Sequence, residues 1–106
     1  MNSEQTKKTA NLLTVCIKAG KTVLGFDAAV EAVKSKNAYC VLTAGDISEK
    51  TLKEAAFFCG KSGIPVIRTG ISKSEMSVYT GRTTAVIAVC DKGFADGFKK
   101  IADAEK

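Results

Sequence analysis

The sequence predicts an α/β fold, a three-layer α/β/α sandwich around a small sheet of about four strands. Two observations support this prediction. Helical and strand patterns alternate along the whole 106-residue chain, without an internal repeat, a low-complexity tract or a linker. The apolar runs between the helices are short and rich in β-branched residues, and the most apolar one, Thr84–Val89, is typical of a strand covered on both faces. The length suits one domain, which is expected to span residues 1–106.

The first helix is predicted over Ser3–Lys18, because Leu13 and Ile17 lie one turn apart on an apolar face. Gly20 ends this helix, since glycine is common just after a helix C-terminus. Thr22–Leu24 then forms a short strand that leads into the second helix.

The second helix is predicted over Phe26–Lys36. Small residues form its buried stripe and allow close packing on a sheet: Ala28, Ala29, Ala32 and Val33. Gly25 precedes the helix and has no side chain that could cap the first backbone N–H groups. A helix N-terminus with free N–H groups favours anions, and phosphate is the common biological anion. The sequence therefore predicts an anion-binding helix start at Gly25.

Capping boxes mark the starts of two further helices. The strand Tyr39–Thr43 is followed by Asp46–Glu49, which matches a capping box, and the helix behind it is expected to end within Gly60–Gly63. Ser72–Glu75 matches a second box and opens a short helix that ends near Thr80.

A further strand and a last helix complete the pattern. Ile64–Arg68 reads as a strand with Pro65 near its start, because proline cannot donate a ladder hydrogen bond. The last helix is predicted to begin near Asp91, and Phe94 and Phe98 share its apolar face.

The chain is basic, with a formal net charge of +5 and a pI of about 9.1. This balance favours negatively charged partners, although it also fits an ordinary solvated basic surface. A hydrophobic content of 45% with 25% charged residues is typical of a globular protein and argues against disorder. Neither a secretory signal nor a run of about 20 apolar residues is visible, so a cytoplasmic protein without a membrane partner is expected.

Catalytic chemistry finds little support in the sequence. The chain has no histidine to pair with a serine or cysteine, and it has no Gly-x-Gly-x-x-Gly motif. Gly20–Thr22 and Gly60–Ser62 resemble the end of a phosphate loop, but Val15 and Ala55 stand where that motif needs its first glycine. We therefore expect no enzyme, no catalytic residue and no cofactor.

The cysteines do not form a metal site by spacing. None of the 4 cysteines belongs to a Cys-x-x-Cys pair, and histidine ligands are missing. Each lies in or beside an apolar stripe and is interpreted as a reduced, small hydrophobic residue. Cys59, near a helix end, is expected to be the most accessible thiol.

Two loops are candidates for a single RNA site. The first combines Gly20 and Lys21 with Gly25–Asp27, and the second is Gly70–Lys73, extended by the turn around Arg82. Each contains a glycine, a small polar residue and a cation, and structured RNA is recognised by such sets of groups. In the second loop, Ile71 offers an apolar side chain to an unstacked base. The same pattern also fits ordinary turn glycines with solvated lysines.

Several runs of the chain match a known family when they are taken in order: Ala19–Asp27 before an alanine-rich helix, Val41–Ser48, Gly63–Val66, Ala85–Val89 and Asp91–Ala95. From about Lys8 onward, the chain resembles the kink-turn-binding ribosomal proteins of the seven-Ae/thirty-e type, and within them the bacterial YlxQ-like branch. The resemblance implies an α/β/α sandwich with a mixed four-stranded sheet. It also implies a structured RNA partner with a kink-turn and association with the ribosome. We expect a monomer, although the sequence does not fix the oligomeric state.

Members of this family bind the kink-turn with a glycine-opened second helix and the loop before the short fourth helix. The resemblance places Gly25, Phe26 and Asp27 at that helix start, Lys21 on the preceding strand, and Gly70–Ser72 in an apolar loop that contacts flipped-out bases. With the neighbouring charged and glycine residues, the candidate RNA-binding set is Gly20, Lys21, Gly25, Phe26, Asp27, Glu31, Lys34, Gly70, Ile71, Ser72, Lys73 and Arg82.

The chain departs from the archaeal motif Gly-x-Asn-Glu-x-x-Lys at three positions, which hold Asp27, Ala28 and Glu31. An ionised aspartate accepts but cannot donate a hydrogen bond, and Glu31 places a negative charge where archaeal members neutralise a phosphate. Two hypotheses follow. The first is a non-catalytic RNA-binding protein of the ribosome or its assembly that recognises kink-turn-like bent RNA. The second is a protein-interaction module on the same scaffold, with weak or lost RNA binding.

Overall fold

The computed structural model describes residues 1–104, which contain five helices and four strands. In chain order they are α1 (Ser3–Lys18), β1 (Thr22–Leu24), α2 (Phe26–Lys34), β2 (Cys40–Thr43), α3 (Glu49–Lys61), β3 (Val66–Arg68), α4 (Lys73–Thr80), β4 (Val86–Val89) and α5 (Lys92–Asp103). Every predicted element is present, and the differences are confined to the element ends. Within these residues, no helix combines the length and apolar character that a membrane span requires.

The strands form one mixed sheet in the order β1-β4-β2-β3. Strands β2 and β3 are parallel, whereas β4 runs antiparallel to both of its neighbours, so that Leu24 and Leu42 lie on either side of Ile87. All four residues of β4 are buried, as its apolar sequence predicts. Because of these directions, β1, β2 and β3 end at the sheet edge where β4 begins. We call this the loop edge; it comprises Gly25, Ala44–Asp46, Thr69–Ser72 and Gly81–Ala85.

Two helical layers cover the sheet and confirm the predicted α/β/α sandwich. Helices α2 and α3 bury one face around Ala29, Val33, Val41, Cys59 and Val86. The remaining helices bury the other face around Leu13, Leu42, Ile71, Met76, Ile87 and Phe98. The small residues of α2 pack against β4, and α2 begins at the loop edge, where the Gly25 amide bonds to the Val86 carbonyl.

The two predicted capping boxes have different outcomes. The box at Ser72–Glu75 is present at the start of α4. The box beginning at Asp46 is wrong, because Ser48 caps α3 by accepting a 3.2 Å hydrogen bond from the Thr51 amide. The Asp46 carboxylate instead accepts a 2.8 Å hydrogen bond from the backbone N–H of Lys73. Asp46 therefore joins two distant loops.

Two burial predictions are also corrected. Ala28 is exposed, since the inward side of α2 carries Ala29, Ala32 and Val33 instead. Cys59 is only 3% exposed, because its side of α3 packs against the sheet. The most accessible thiol among the cysteines is that of Cys90, which is half-buried.

Candidate functional site

The loop edge is held together by backbone hydrogen bonds between its segments. They run from Gly25 N–H to the Val86 carbonyl (2.9 Å), from Ala44 N–H to the Ala85 carbonyl (2.9 Å) and from Gly45 N–H to the Ile71 carbonyl (2.8 Å). The strand order therefore brings three predicted segments to one edge of the molecule. They are the start of α2 at Gly25, the loop Gly70–Lys73 and the turn around Arg82. This edge is the candidate functional site.

Gly25 gives the start of α2 an unusual form. Its φ of 98° and ψ of 156° belong to a region that side chains rarely adopt, so glycine is required there. The first intrahelical bond runs from Ala29 N–H to the Gly25 carbonyl at 2.9 Å. The preceding amides of Phe26, Asp27 and Ala28 thus have no intrahelical acceptor, and no side chain caps them. Among the helices of residues 1–104, only α2 starts without a side-chain cap.

The loop between α4 and β4 lies next to these open amides. The buried Thr84 hydroxyl donates a 2.9 Å hydrogen bond to the Val86 carbonyl, the same oxygen that accepts from the Gly25 amide. Arg82 is exposed in this loop, and its backbone N–H donates to the Thr80 hydroxyl at 3.3 Å. The sequence interpretation included Arg82 but missed Thr84, which fixes the loop beside α2.

The β2–α3 and β3–α4 loops form the other half of the edge. The Arg68 guanidinium donates hydrogen bonds of 3.0 and 2.7 Å to the Gly45 carbonyl. A Cβ atom at Gly45 would lie 2.7 Å from the Thr69 carbonyl oxygen, so the close approach of the two loops requires glycine. Sequence reasoning missed this contact because the two strands involved carry no signal for their order.

Ile71 does not fulfil its expected role. Its side chain is 0% exposed and belongs to the core under α1 and α4, so it cannot stack on a base in this conformation. Gly70 is exposed, but a Cβ atom there would collide with the Thr6 side chain on α1. Ser72 and Lys73 start α4, where the capping box and Asp46 occupy their amides. This loop therefore presents its cations rather than an apolar side chain.

Gly20 and Lys21 lie away from the loop edge. The Lys21 carbonyl accepts a 2.8 Å hydrogen bond from the Cys90 amide, at the far end of β1. The 3 residues of β1 lie between Lys21 and Gly25, so the two are roughly 13 Å apart along the extended chain. The structure therefore does not bring Gly20 and Lys21 together with Gly25, because the residues of β1 between them are extended.

The exposed side of α2 carries mixed charge. Asp27, Glu31 and Lys34 are all exposed and follow one another along the helix at spacings that share one side. Asp27 lies in the first turn, beside the open amides, whereas Lys34 lies in the last turn. Asp27, Ala28 and Glu31, which differ from the archaeal motif, are therefore exposed to solvent. A ligand bound at the loop edge could contact them there.

The thiols are poor nucleophiles. Burial raises the pKa of Cys16 to about 11 and that of Cys40 to about 12, with a smaller contribution to Cys16 from Asp91. Burial also raises the pKa of Cys59 and Cys90. All four thiols thus stay protonated at neutral pH. Within residues 1–104, no cluster of three or more acidic or cysteine side chains could hold a metal ion.

Comparison with known proteins points to one family. The model of the ribosomal protein L7Ae/L30e/S12e/Gadd45 family matches residues 7–98. The RNA-binding protein YlxQ of Enterococcus faecium is 26% identical to this chain over 103 residues, which cover 97% of this chain and 99% of that protein.

Solved structures share the same architecture. A protein with unknown function from Bacillus halodurans superposes with a TM-score of 0.84 at 27% identity, covering 91% of this chain and 97% of that one. The 15.5kD RNA binding protein of Giardia lamblia superposes with a TM-score of 0.80 at 18% identity, covering 98% and 89% of the two chains. At that identity, the second likeness supports the fold alone.

Proposed function

The chain belongs to the ribosomal protein L7Ae/L30e/S12e/Gadd45 family, as its motifs predict, and on this basis we propose that it is an RNA-binding protein. More narrowly, we propose that it recognises kink-turn-like bent RNA in the ribosome or its assembly, without catalysis. The loop edge would form the binding surface. The proposal is supported by the family match, by the relative's name and by the geometry of α2.

The single observation that carries the proposal is the open start of α2. Gly25 leaves the amides of Phe26, Asp27 and Ala28 without an intrahelical or side-chain partner, and the N-terminal end of a helix dipole favours an anion. A sharply bent RNA presents phosphates and unpaired base edges close together, and amides can donate to both. Arg82 adds an exposed cation to the adjoining loop, whose Thr84 hydroxyl donates to the same Val86 carbonyl as the Gly25 amide.

The adjoining part of the site differs from the sequence-based expectation. Because the Ile71 side chain is buried, we propose that the turn around Arg82 takes its place beside α2. This turn is closer to Gly25, since β4 neighbours β1, whereas β3 lies two strands further away. Lys73 and Arg68 would then contact the RNA backbone at the other end of the edge, mainly through charge.

The test is a titration of the protein against a kink-turn duplex and a straight duplex of equal length, at two salt concentrations. We expect tighter binding of the bent duplex and a loss of affinity at the higher salt, because phosphate contacts release counterions. Equal affinity for both duplexes, or no binding at low salt, would contradict the proposal. The latter result would favour the protein-interaction module, which the exposed carboxylates of Asp27 and Glu31 support.

A further inference from the structure

A pair of aromatic rings lies on the outer surface of α3, away from the loop edge. Phe57 is 60% exposed and Phe58 is half-buried. Their ring centroids are 5.4 Å apart and the rings are inclined by 75°, an edge-to-face pair. The inward side of α3 is provided by Ala55 and Cys59 instead. Phe57 therefore adds little to the core, and its exposure calls for another explanation.

Two lysines lie over these rings. The Lys61 ammonium is 5.0 Å from the centroid of Phe57, and the Lys34 ammonium, on α2, is 5.0 Å from the centroid of Phe58. Both distances are within the range of cation–π attraction. We call these four residues the aromatic platform. Its cations come from two helices, so packing of α2 beside α3 builds the platform.

We propose that the aromatic platform stacks an unpaired nucleotide from a strand that continues past the bent duplex. The proposal rests on the RNA binding proposed above but uses a surface away from the loop edge, which shares only Lys34 with the candidate RNA-binding set. An exposed ring can stack on any base, and a lysine that lies over the ring can move to the adjoining phosphate. Lys34 ends α2 at about 14 Å from Gly25, so one RNA can reach the platform and the loop edge along the same helix.

Charge favours RNA over a protein as the occupant. An apolar protein surface would cover Phe57 but would also desolvate Lys34 and Lys61 without giving them anionic partners, which is costly. A nucleotide supplies both a π-face for the ring and a phosphate for the ammonium groups. Lys53 lies one turn before Phe57 on the same side of α3 and adds a third positive charge to this surface. The neighbouring Glu54 offsets this positive charge only in part.

The first test uses two RNAs, the bent duplex alone and the same duplex with a single-stranded extension of about six nucleotides, a length within the footprint of single-strand-binding surfaces. We expect the extension to tighten binding to the unchanged protein. Phe57→Ala should lower the affinity for the extended RNA by about tenfold and leave the affinity for the unextended duplex unchanged. Val15→Ala, which truncates an exposed apolar residue on α1, is the matched control and should keep the whole gain.

Phe57→Leu separates stacking from apolar contact, because leucine keeps apolar area but has no π-face. It should lose the gain as Phe57→Ala does, whereas Phe57→Tyr should keep it. The proposal is overturned if the extension adds no affinity or if Phe57→Ala keeps the affinity that the extension adds. It is also overturned if Phe57→Ala weakens binding of both RNAs equally. Retention of the gain by Phe57→Leu would also overturn it and would favour a protein partner that needs only apolar area.

A second measurement separates this proposal from the proposed function. A short single-stranded RNA is titrated into the labelled protein and followed by NMR, without any bent duplex. We expect the ring signals of Phe57 and Phe58 to shift together with the side-chain signals of Lys34 and Lys61. Absence of these shifts overturns the platform even if the bent duplex binds. Their presence supports the platform even if the bent duplex does not bind.

Discussion

The backbone amide of Gly25 donates a 2.9 Å hydrogen bond to the carbonyl of Val86, across the boundary between β1 and β4. The Thr84 hydroxyl donates to the same oxygen at 2.9 Å. One carbonyl therefore joins the start of α2 to the loop that carries Arg82. This contact places open helix amides and a cation at one edge of the sheet, which is the structural basis of the proposed RNA site.

Replacement of Gly25 by alanine should destabilise the protein. No atom lies within 4 Å of a Cβ built there, so the cost comes from φ of +98°, and we expect about 1–3 kcal/mol. Gly60→Ala is the control, because that glycine lies within α3 with open space around it, and it should gain about 0.5–1 kcal/mol. Urea unfolding of both variants measures the difference. Equal effects would mean that the backbone at Gly25 is not strained.

Removal of the Thr84 hydroxyl should cost stability, whereas removal of the Thr43 hydroxyl should not. Thr84 donates to Val86, so Thr84→Val is expected to lose about 1 kcal/mol. The Thr43 hydroxyl is buried and, among the described residues, has no hydrogen-bond partner, so Thr43→Val should be neutral or stabilising. Both substitutions are the same chemical change at buried sites. Thermal or urea unfolding that ranks them in the opposite order would contradict this assignment.

Reversal of the charge at Glu31 should strengthen RNA binding. Glu31 is exposed one turn after Asp27, on the side of α2 that leads to the open amides. Glu31→Lys is expected to raise affinity and to make the salt dependence steeper by about one phosphate contact. Fluorescence anisotropy over a salt series measures both quantities. Glu4→Lys, an equal charge change on α1, should leave the slope nearly unchanged, and an equal response to both would indicate attraction by net charge alone.

Alkaline pH should destabilise the protein through its buried thiols. The folded pKa of Cys40, about 12, lies above its ordinary value of 9.0, so unfolding releases a proton between these pH values. The stabilisation is complete below pH 9.0 and is lost as pH rises toward the folded pKa. The stability advantage over Cys40→Ala should therefore shrink by about 1.4 kcal/mol per pH unit above that pH. A pH-independent difference in unfolding free energy would show that the thiol titrates normally.

Local signals in the sequence predict the elements, and the contacts between distant segments explain the errors. The Ser72–Glu75 box is predicted correctly because both partners lie within one turn. Asp46 is misassigned because its acceptor role depends on the Lys73 amide, 27 residues away. The burial of Ile71 likewise depends on α1 and α4 packing over its loop, which its local sequence does not encode.

In the candidate site too, local features are predicted from the sequence, whereas contacts between distant segments are not. Gly25 is identifiable from the sequence, since a glycine before an alanine-rich helix indicates an open helix start. Lys21 precedes β1 as the sequence predicts, but this strand of 3 residues places it at the opposite end of β1 from Gly25. The loop that carries Arg82 adjoins Gly25 because β4 lies next to β1, and this strand order is absent from the periodicity of the sequence.

The central claim, that the open start of α2 contacts bent RNA, is tested most directly by NMR of the backbone amides during titration with a kink-turn duplex. We expect the largest shifts at Phe26, Asp27 and Ala28, with further shifts at Arg82, and only small shifts with a straight duplex of equal length. Shifts that leave these amides unchanged while the bent duplex binds, or equal shifts with both duplexes, would contradict the claim.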